Sequence, residues 1–132
     1  MKKEIVAALF ISLLPGIAFS DNHGGNGDAD AGKKVFRKCK ACHAVGEGAE
    51  NKVGPQLNGI IDRQIGGLDG FKYSKVLMEL GAEGKTWTTE DLAAFLEKPR
   101  DYAKGTKMSF AGLRKEADRD NIIAYLATFP AE

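Results

Sequence analysis

The run Cys39-Lys40-Ala41-Cys42-His43 constrains this chain more than anything else in it. These are its only two cysteines, and they lie too close together to staple distant parts of a fold, because loop-closure stabilisation is smallest for short loops. The pair therefore needs a chemical explanation. On a helical turn, residues three and four apart share a face, so Cys39, Cys42 and His43 can converge on one point. C-x-x-C-H at this spacing is the attachment pattern of a c-type haem, in which two thioethers fix the macrocycle and the imidazole is held under the iron. Three other readings compete. A thioredoxin-type dithiol needs a βαβ setting, and no strand pattern is evident. A structural zinc site wants four ligands, but only two Cys and two His are present, and His23 falls in a glycine-rich stretch. A five-residue pattern can also arise by chance.

The front of the chain bears on the same question. Lys2 and Lys3 form a basic start, Ile5 to Leu14 is an apolar run broken by Pro15 and Gly16, and Ala18-Phe19-Ser20 offers small residues where a signal peptidase reads. Residues 1–20 are expected to be a cleaved signal peptide, which sends the protein to the periplasm. The rival is a membrane anchor, but the apolar run falls short of the ~20 residues that span a bilayer. Residues 21–27 are polar and glycine-rich, the composition of a flexible lead-in, and 28–132 form one domain. Cleavage removes Lys2, Lys3 and Glu4, two positive charges and one negative, so the formal net charge falls from +1 to 0. The basic excess of a nucleic-acid-binding protein is missing.

Along the domain the periodicity is helical and intermittent. Asp28 or Asp30 can cap a helix running through Ala31, Val35, Phe36 and Cys39. A short helix is expected from Ser74 to Leu80, and Thr88 can cap another that carries Leu92, Phe95 and Leu96 and stops before Pro99. A last helix begins near Asp118, carries Ile122, Tyr125, Leu126 and Phe129, and is stopped by Pro130. Residues 44–72, with seven glycines, and 99–112 read as irregular. The fold class is all-α with long loops. Two long structureless stretches in a small domain imply that they surround something, and a large apolar prosthetic group would supply the missing interior.

A second axial ligand could come from His23, Met78 or Met108. His23 lies in the lead-in, and Met78 sits among Leu77 and Leu80 in a short helix. Met108 lies in Gly105-Thr106-Lys107-Met108-Ser109-Phe110, an irregular stretch able to carry a thioether to the iron, although simple packing also suits a Met there.

From residue 31 onward the chain resembles the class I c-type cytochromes, the mitochondrial cytochrome c and bacterial cytochrome c-two group. The likeness rests on Cys39–His43, Val53-Gly54-Pro55-Gln56-Leu57-Asn58-Gly59, Gly70-Phe71-Lys72-Tyr73 and Trp87. It continues through Pro99 to Gly112, with Tyr102, and closes on Ile123-Ala124-Tyr125-Leu126. The resemblance implies the cytochrome c fold, a few helices and long loops wrapped around one covalent haem c, with Cys39 and Cys42 as thioethers and His43 and Met108 as axial ligands. It implies that Pro55 offers its carbonyl to the far nitrogen of His43 and that Thr106 helps close the distal loop. By the same likeness Tyr73 and Trp87 hydrogen-bond a haem propionate with Arg63 beside it, and Gly32 and Phe36 cross Tyr125 and Leu126. Trp87 and Phe36 could also be plain core aromatics. Two departures stand out. Phe95 occupies a position where mitochondrial relatives carry a tyrosine, and the stretch from Lys75 to Lys85 is longer than theirs.

The function so implied is a monomeric electron carrier and not an enzyme, since a six-coordinate iron has no site for substrate. Its expected partners are a membrane quinol-cytochrome c oxidoreductase and a terminal oxidase or photosynthetic reaction centre. Lys33, Lys34, Lys38, Lys52, Lys104 and Lys107 are the expected docking residues, with solvated lysines as the bland alternative. The competing function is a haem peroxidase or gas sensor with a displaceable Met108.

Overall fold

The computed structural model describes residues 27–132; the expected signal peptide and most of the lead-in lie outside the described residues. Helix α1 spans Ala29–Val35, and its cap is Asp28, whose Oδ1 accepts from the N–H groups of Asp30 at 2.8 Å and Ala31 at 3.3 Å. It does not continue as an α-helix to Cys39. Phe36–Lys38 tighten into a 3₁₀ turn, and Cys39 C=O then accepts from both Cys42 N–H and His43 N–H, at 3.0 and 2.9 Å. Tightening the last turn satisfies terminal carbonyls, and it swings the two thiols and the imidazole off the α1 axis.

Helix α2 is Lys75–Ala82, and α3 is Thr89–Glu97 with Thr88 Oγ1 accepting from Asp91 N–H at 3.1 Å. Pro99 ends α3 as expected and then opens α4, Pro99–Tyr102, a single turn inside the stretch expected to be irregular. Proline suits the first position of a helix because its missing N–H has no partner there anyway. Helix α5 runs Glu116–Leu126, beginning before Asp118 and ending before Pro130, with turn hydrogen bonds carrying the chain on to Phe129. Lys115 supplies no side-chain cap, so the sequence carried no start signal there. Among the described residues there is no strand ladder, only an isolated antiparallel bridge between Gln64 and Thr86.

The frame is the crossing of α1 over α5. A methyl group on Gly32 would run into the Asn121 carbonyl and the Tyr125 Cβ, so only glycine lets the two backbones approach this closely. Asp28 N–H donates to Asn121 Oδ1 at 2.8 Å beside it, and Phe36 packs on Tyr125 with ring centroids 5.5 Å apart. The loops are sewn to the helices by backbone bonds. Asp62 and Ile65 N–H donate to Trp87 and Lys85 carbonyls, and Trp87 N–H returns to Arg63. Further on, Leu113 N–H donates to Leu96 C=O at 2.7 Å, and Arg119 Nη1 donates to the carbonyls of Leu113 and Arg114. Replacement of Gly32 by Ala is expected to destabilise the folded holoprotein by roughly 1–3 kcal/mol, the range for over-packing a close contact. Guanidinium unfolding followed by Trp87 fluorescence checks it.

Candidate functional site

Eight of the twelve residues of the buried core line one cavity; only Ile65, Ala103, Leu113 and Ile123 stand away from it. The cavity they enclose has a volume of about 260 Å³. The chain is built around a guest.

The cavity wall brings together every residue expected to hold the cofactor. Cys39, Cys42 and His43 reach it from the turn after α1, and Pro55 and Arg63 from the following loop. Tyr73 lies just ahead of α2 and Trp87 just ahead of α3, while Thr106 and Met108 come from the strap between α4 and α5. Cys39 and Cys42 are not joined to each other by a disulfide, and burial pushes the Cys39 thiol up from its ordinary value, with Lys38 pulling the other way. His23 lies outside the described residues, and Met78 is half exposed on α2 and does not line the cavity.

His43 Nδ1 lies 2.7 Å from Pro55 C=O, a bond that assigns the proton to that nitrogen and leaves Nε2 as the lone-pair donor. Burial lowers the affinity of the imidazole for a second proton, and the charges of Arg63 and Lys52 add to it against the opposing Pro55 bond, so the ring is held neutral. Gly54 makes room for this: a methyl there would strike the His43 ring. On the strap, Met108 N–H donates to Thr106 Oγ1 at 3.3 Å, a bond that curls the backbone at the methionine. Gly112 passes so close to Glu97 C=O that a side chain would collide with it.

Arg63 is half buried, and burial lowers its proton affinity. Its Nη2 and Nη1 donate to the carbonyls of Gln56 and Asn58 at 2.9 and 3.3 Å. Burial raises the Tyr73 hydroxyl, and the Arg63 charge opposes this. Ser74, absent from the sequence-based expectations, is 3% exposed, lines the same wall, and has the one buried side-chain oxygen among the described residues without a hydrogen-bond partner. An orphaned buried hydroxyl is costly unless a partner exists, so Ser74, Arg63 and Tyr73 make a donor-rich edge suited to a carboxylate. The only signal for Ser74 was its place next to Tyr73. An apolar slot with an imidazole, a thioether, two thiols and a carboxylate-binding edge fits a covalently attached haem.

Phe95 sits in the cavity wall between Trp87, 4.9 Å away by ring centroids, and Tyr102, 5.8 Å away. The hydroxyl that Phe95 lacks is found on Tyr102, where it faces away from the slot and donates to Asp91 Oδ1 at 2.9 Å.

Comparison with known proteins agrees with the geometry. The family model described as cytochrome c matches residues 29–130. A cytochrome c-550 of Ancylobacter novellus is 56% identical over 101 residues, covering 76% of this chain and 94% of its own. A cytochrome c2 of Afifella marina is 50% identical over 102 residues, covering 77% and 82%. Among solved structures, cytochrome c2 from Rhodospirillum centenum superposes with a TM-score of 0.74 at 42% identity, over 80% of this chain and all of that one. The site defines a haem-c electron carrier with an all-α fold. This chain belongs to the cytochrome c family.

The Tyr102–Asp91 bond makes the stability of the fold pH-dependent. Burial first, then the bond to Asp91 and its charge, push the Tyr102 hydroxyl up to about 12. The folded state thus holds this proton more tightly than the unfolded chain does. The contribution is fully present below the ordinary tyrosine value of about 10 and is lost as pH rises through about 12. The stability difference between the parent and Tyr102→Phe should be constant up to about pH 9 and shrink between about 10 and 12. Chemical denaturation at stepped pH reads it directly.

Proposed function

We propose that the protein shuttles single electrons in the periplasm between a quinol-oxidising membrane complex and a terminal oxidase or reaction centre, as a monomer with His43 and Met108 as axial ligands of haem c. The observation that carries the reading is the convergence of the C-x-x-C-H turn and Met108 on one apolar cavity. When bound, the haem supplies a one-electron ferric/ferrous couple.

The residues set the terms of that couple. His43, oriented by Pro55, offers a fixed and electron-rich nitrogen. Met108 offers a neutral soft sulfur, which favours ferrous iron and raises the potential. Leu92, Phe95, Leu96 and Ile122 keep water from the slot, which penalises the more highly charged ferric state in the same direction. Tyr73, Ser74, Trp87 and Arg63 would hold the propionates, and Thr106, bonded to Met108 N–H, would keep the strap closed. His43 and Met108 would hold the iron from the chain in both oxidation states, so that little would have to move per electron. Export is supported by the basic-then-apolar pattern of residues 2–20. No helix among the described residues is long and apolar enough to cross a membrane.

Charge at the cavity mouth supports an acidic docking partner. Lys38, Lys72 and Lys107 line it together with Arg63, and no acidic side chain does. Lys33 and Lys34 stand exposed on the last turn of α1, and Lys104 is exposed on the strap. Lys52 is held differently, its Nζ donating to Lys40 C=O at 2.7 Å. Lys72, absent from the docking set read from sequence, joins it by position.

Met108→Ala is expected to convert a reduced protein that resists carbon monoxide into one that binds it, with a lower midpoint potential. If parent and variant have the same ferrous spectrum and the same response to carbon monoxide, Met108 is not the ligand. Lys107→Glu should slow reduction by an acidic-faced donor on the order of tenfold at low salt, with the difference closing as salt screens it. Stopped-flow rates against ionic strength check it, and a flat salt response removes the docking assignment.

A further inference from the structure

The hydrogen bond that orients His43 ends on a residue that cannot fix its own position. Pro55 has no N–H, so its carbonyl must be aimed by its neighbours. Two backbone bonds flank it: Gly54 N–H donates to Cys42 C=O at 2.8 Å and Leu57 N–H to Ala44 C=O at 2.9 Å. They bracket His43 on one stretch of chain and Pro55 on the other. A third rung lies beyond them and is made by a side chain. Asn58 Oδ1 accepts from Gly46 N–H and Asn58 Nδ2 donates to Gly46 C=O, each at 2.8 Å.

Asn58 is 3% exposed and does not line the cavity. Its amide therefore lies outside the cavity wall, yet both its ends are engaged by one residue's main chain, and its own main chain is engaged as well. Asn58 N–H donates to Gln56 Oε1 at 2.7 Å, and Asn58 C=O accepts from Arg63. The next residue, Gly59, donates to Phe129 C=O at 2.8 Å, which ties the same corner to the end of α5. Gly46 takes φ +98°, a conformation that presents its N–H and C=O to one acceptor–donor pair and that side-chain-bearing residues rarely adopt. Asparagine is suited to the other half, since a carboxylate lacks the donor, a hydroxyl lacks the span, and leucine lacks both polar groups.

We propose that Asn58 is a positioning residue for the axial histidine: by clasping Gly46 it holds the 55–58 loop in register with the 42–46 segment and keeps Pro55 C=O on His43 Nδ1–H. The inference rests on His43 being the axial ligand. Loss of the clasp leaves Gly46 N–H without a partner in a half-buried place and Gly46 C=O with only the bond from Ala49 N–H at 3.1 Å, and the loop must shift to let water reach the orphaned donor. The His43–Pro55 bond then opens locally, without global unfolding.

The test is hydrogen exchange at His43 Nδ1–H in the reduced holoprotein, followed by NMR and compared with the slowest-exchanging amides of α5, which report global opening. Asn58→Leu removes both bonds, and Asn58→Asp keeps the acceptor while turning the donor into a second acceptor facing Gly46 C=O. Both variants are expected to speed Nδ1–H exchange at least tenfold more than they speed the α5 amides, Leu more than Asp. If Asn58→Leu does not yield holoprotein, Asn58→Asp carries the comparison. If exchange at Nδ1–H rises only in step with the α5 amides, Asn58 is merely structural and the proposal falls. If the parent protein shows no ring-current-shifted His43 resonances, the axial assignment itself fails, which is a separate result.

Discussion

The interior of this protein is a set of side chains facing inward at a shared guest, and the rest of the structure follows from that constraint. Phe36, Ile60, Trp87, Leu92, Phe95, Leu96, Ile122 and Leu126 are core residues that are also cavity wall. The five short helices among the described residues do not bury enough apolar surface on one another alone. They act as a cage, braced by the α1–α5 crossing and closed by long segments of loop. The loops hold their shape through backbone bonds to helix ends and to one another, such as Leu113 to Leu96 and Gly59 to Phe129.

The two sides of the slot are held by different physics. On the His43 side, backbone rungs at Cys42 and Ala44, with the Asn58 clasp beyond them, fix a polar contact whose direction matters. On the Met108 side, packing dominates, with Thr106 supplying one local bond and buried Ala103 and Leu113 anchoring the strap on either side. Such a division suits a carrier. A fixed imidazole and a strap anchored on both sides leave the chain little freedom to reorganise. The charged groups beside the slot, Lys38, Lys72 and Lys107, stay exposed.

Ion pairing contributes almost nothing to this fold. The ion pairs found among the described residues, Lys75–Glu79 and Lys98–Asp101, are exposed neighbours along the chain, and pairs of that kind are worth little in water. Burial, backbone hydrogen bonds and the cofactor hold the molecule together. The charges are left free for encounter rather than for stability.

Much of the site was legible because its chemistry is local. Cys39, Cys42 and His43 announce themselves by spacing, Asp28 and Thr88 by capping, and Pro99 by ending a helix, since each effect acts within a turn of the residue that causes it. Pro55, Arg63, Tyr73, Trp87 and Thr106 were named by resemblance to a family, while the residues alone offered Met108 only as one of three candidate ligands. Only the folded chain shows them on one wall. Ser74, Asn58 and Lys72 needed the tertiary structure. An unpartnered hydroxyl, an amide clasped to a peptide twelve residues away and a lysine at the cavity mouth are relations between segments, and composition and periodicity carry no record of them. By itself the sequence determined a helical, cofactor-bearing chain with its attachment point. Tertiary packing decided which distant carbonyl aims the imidazole and which charges surround the opening, because those contacts exist only when the loops close.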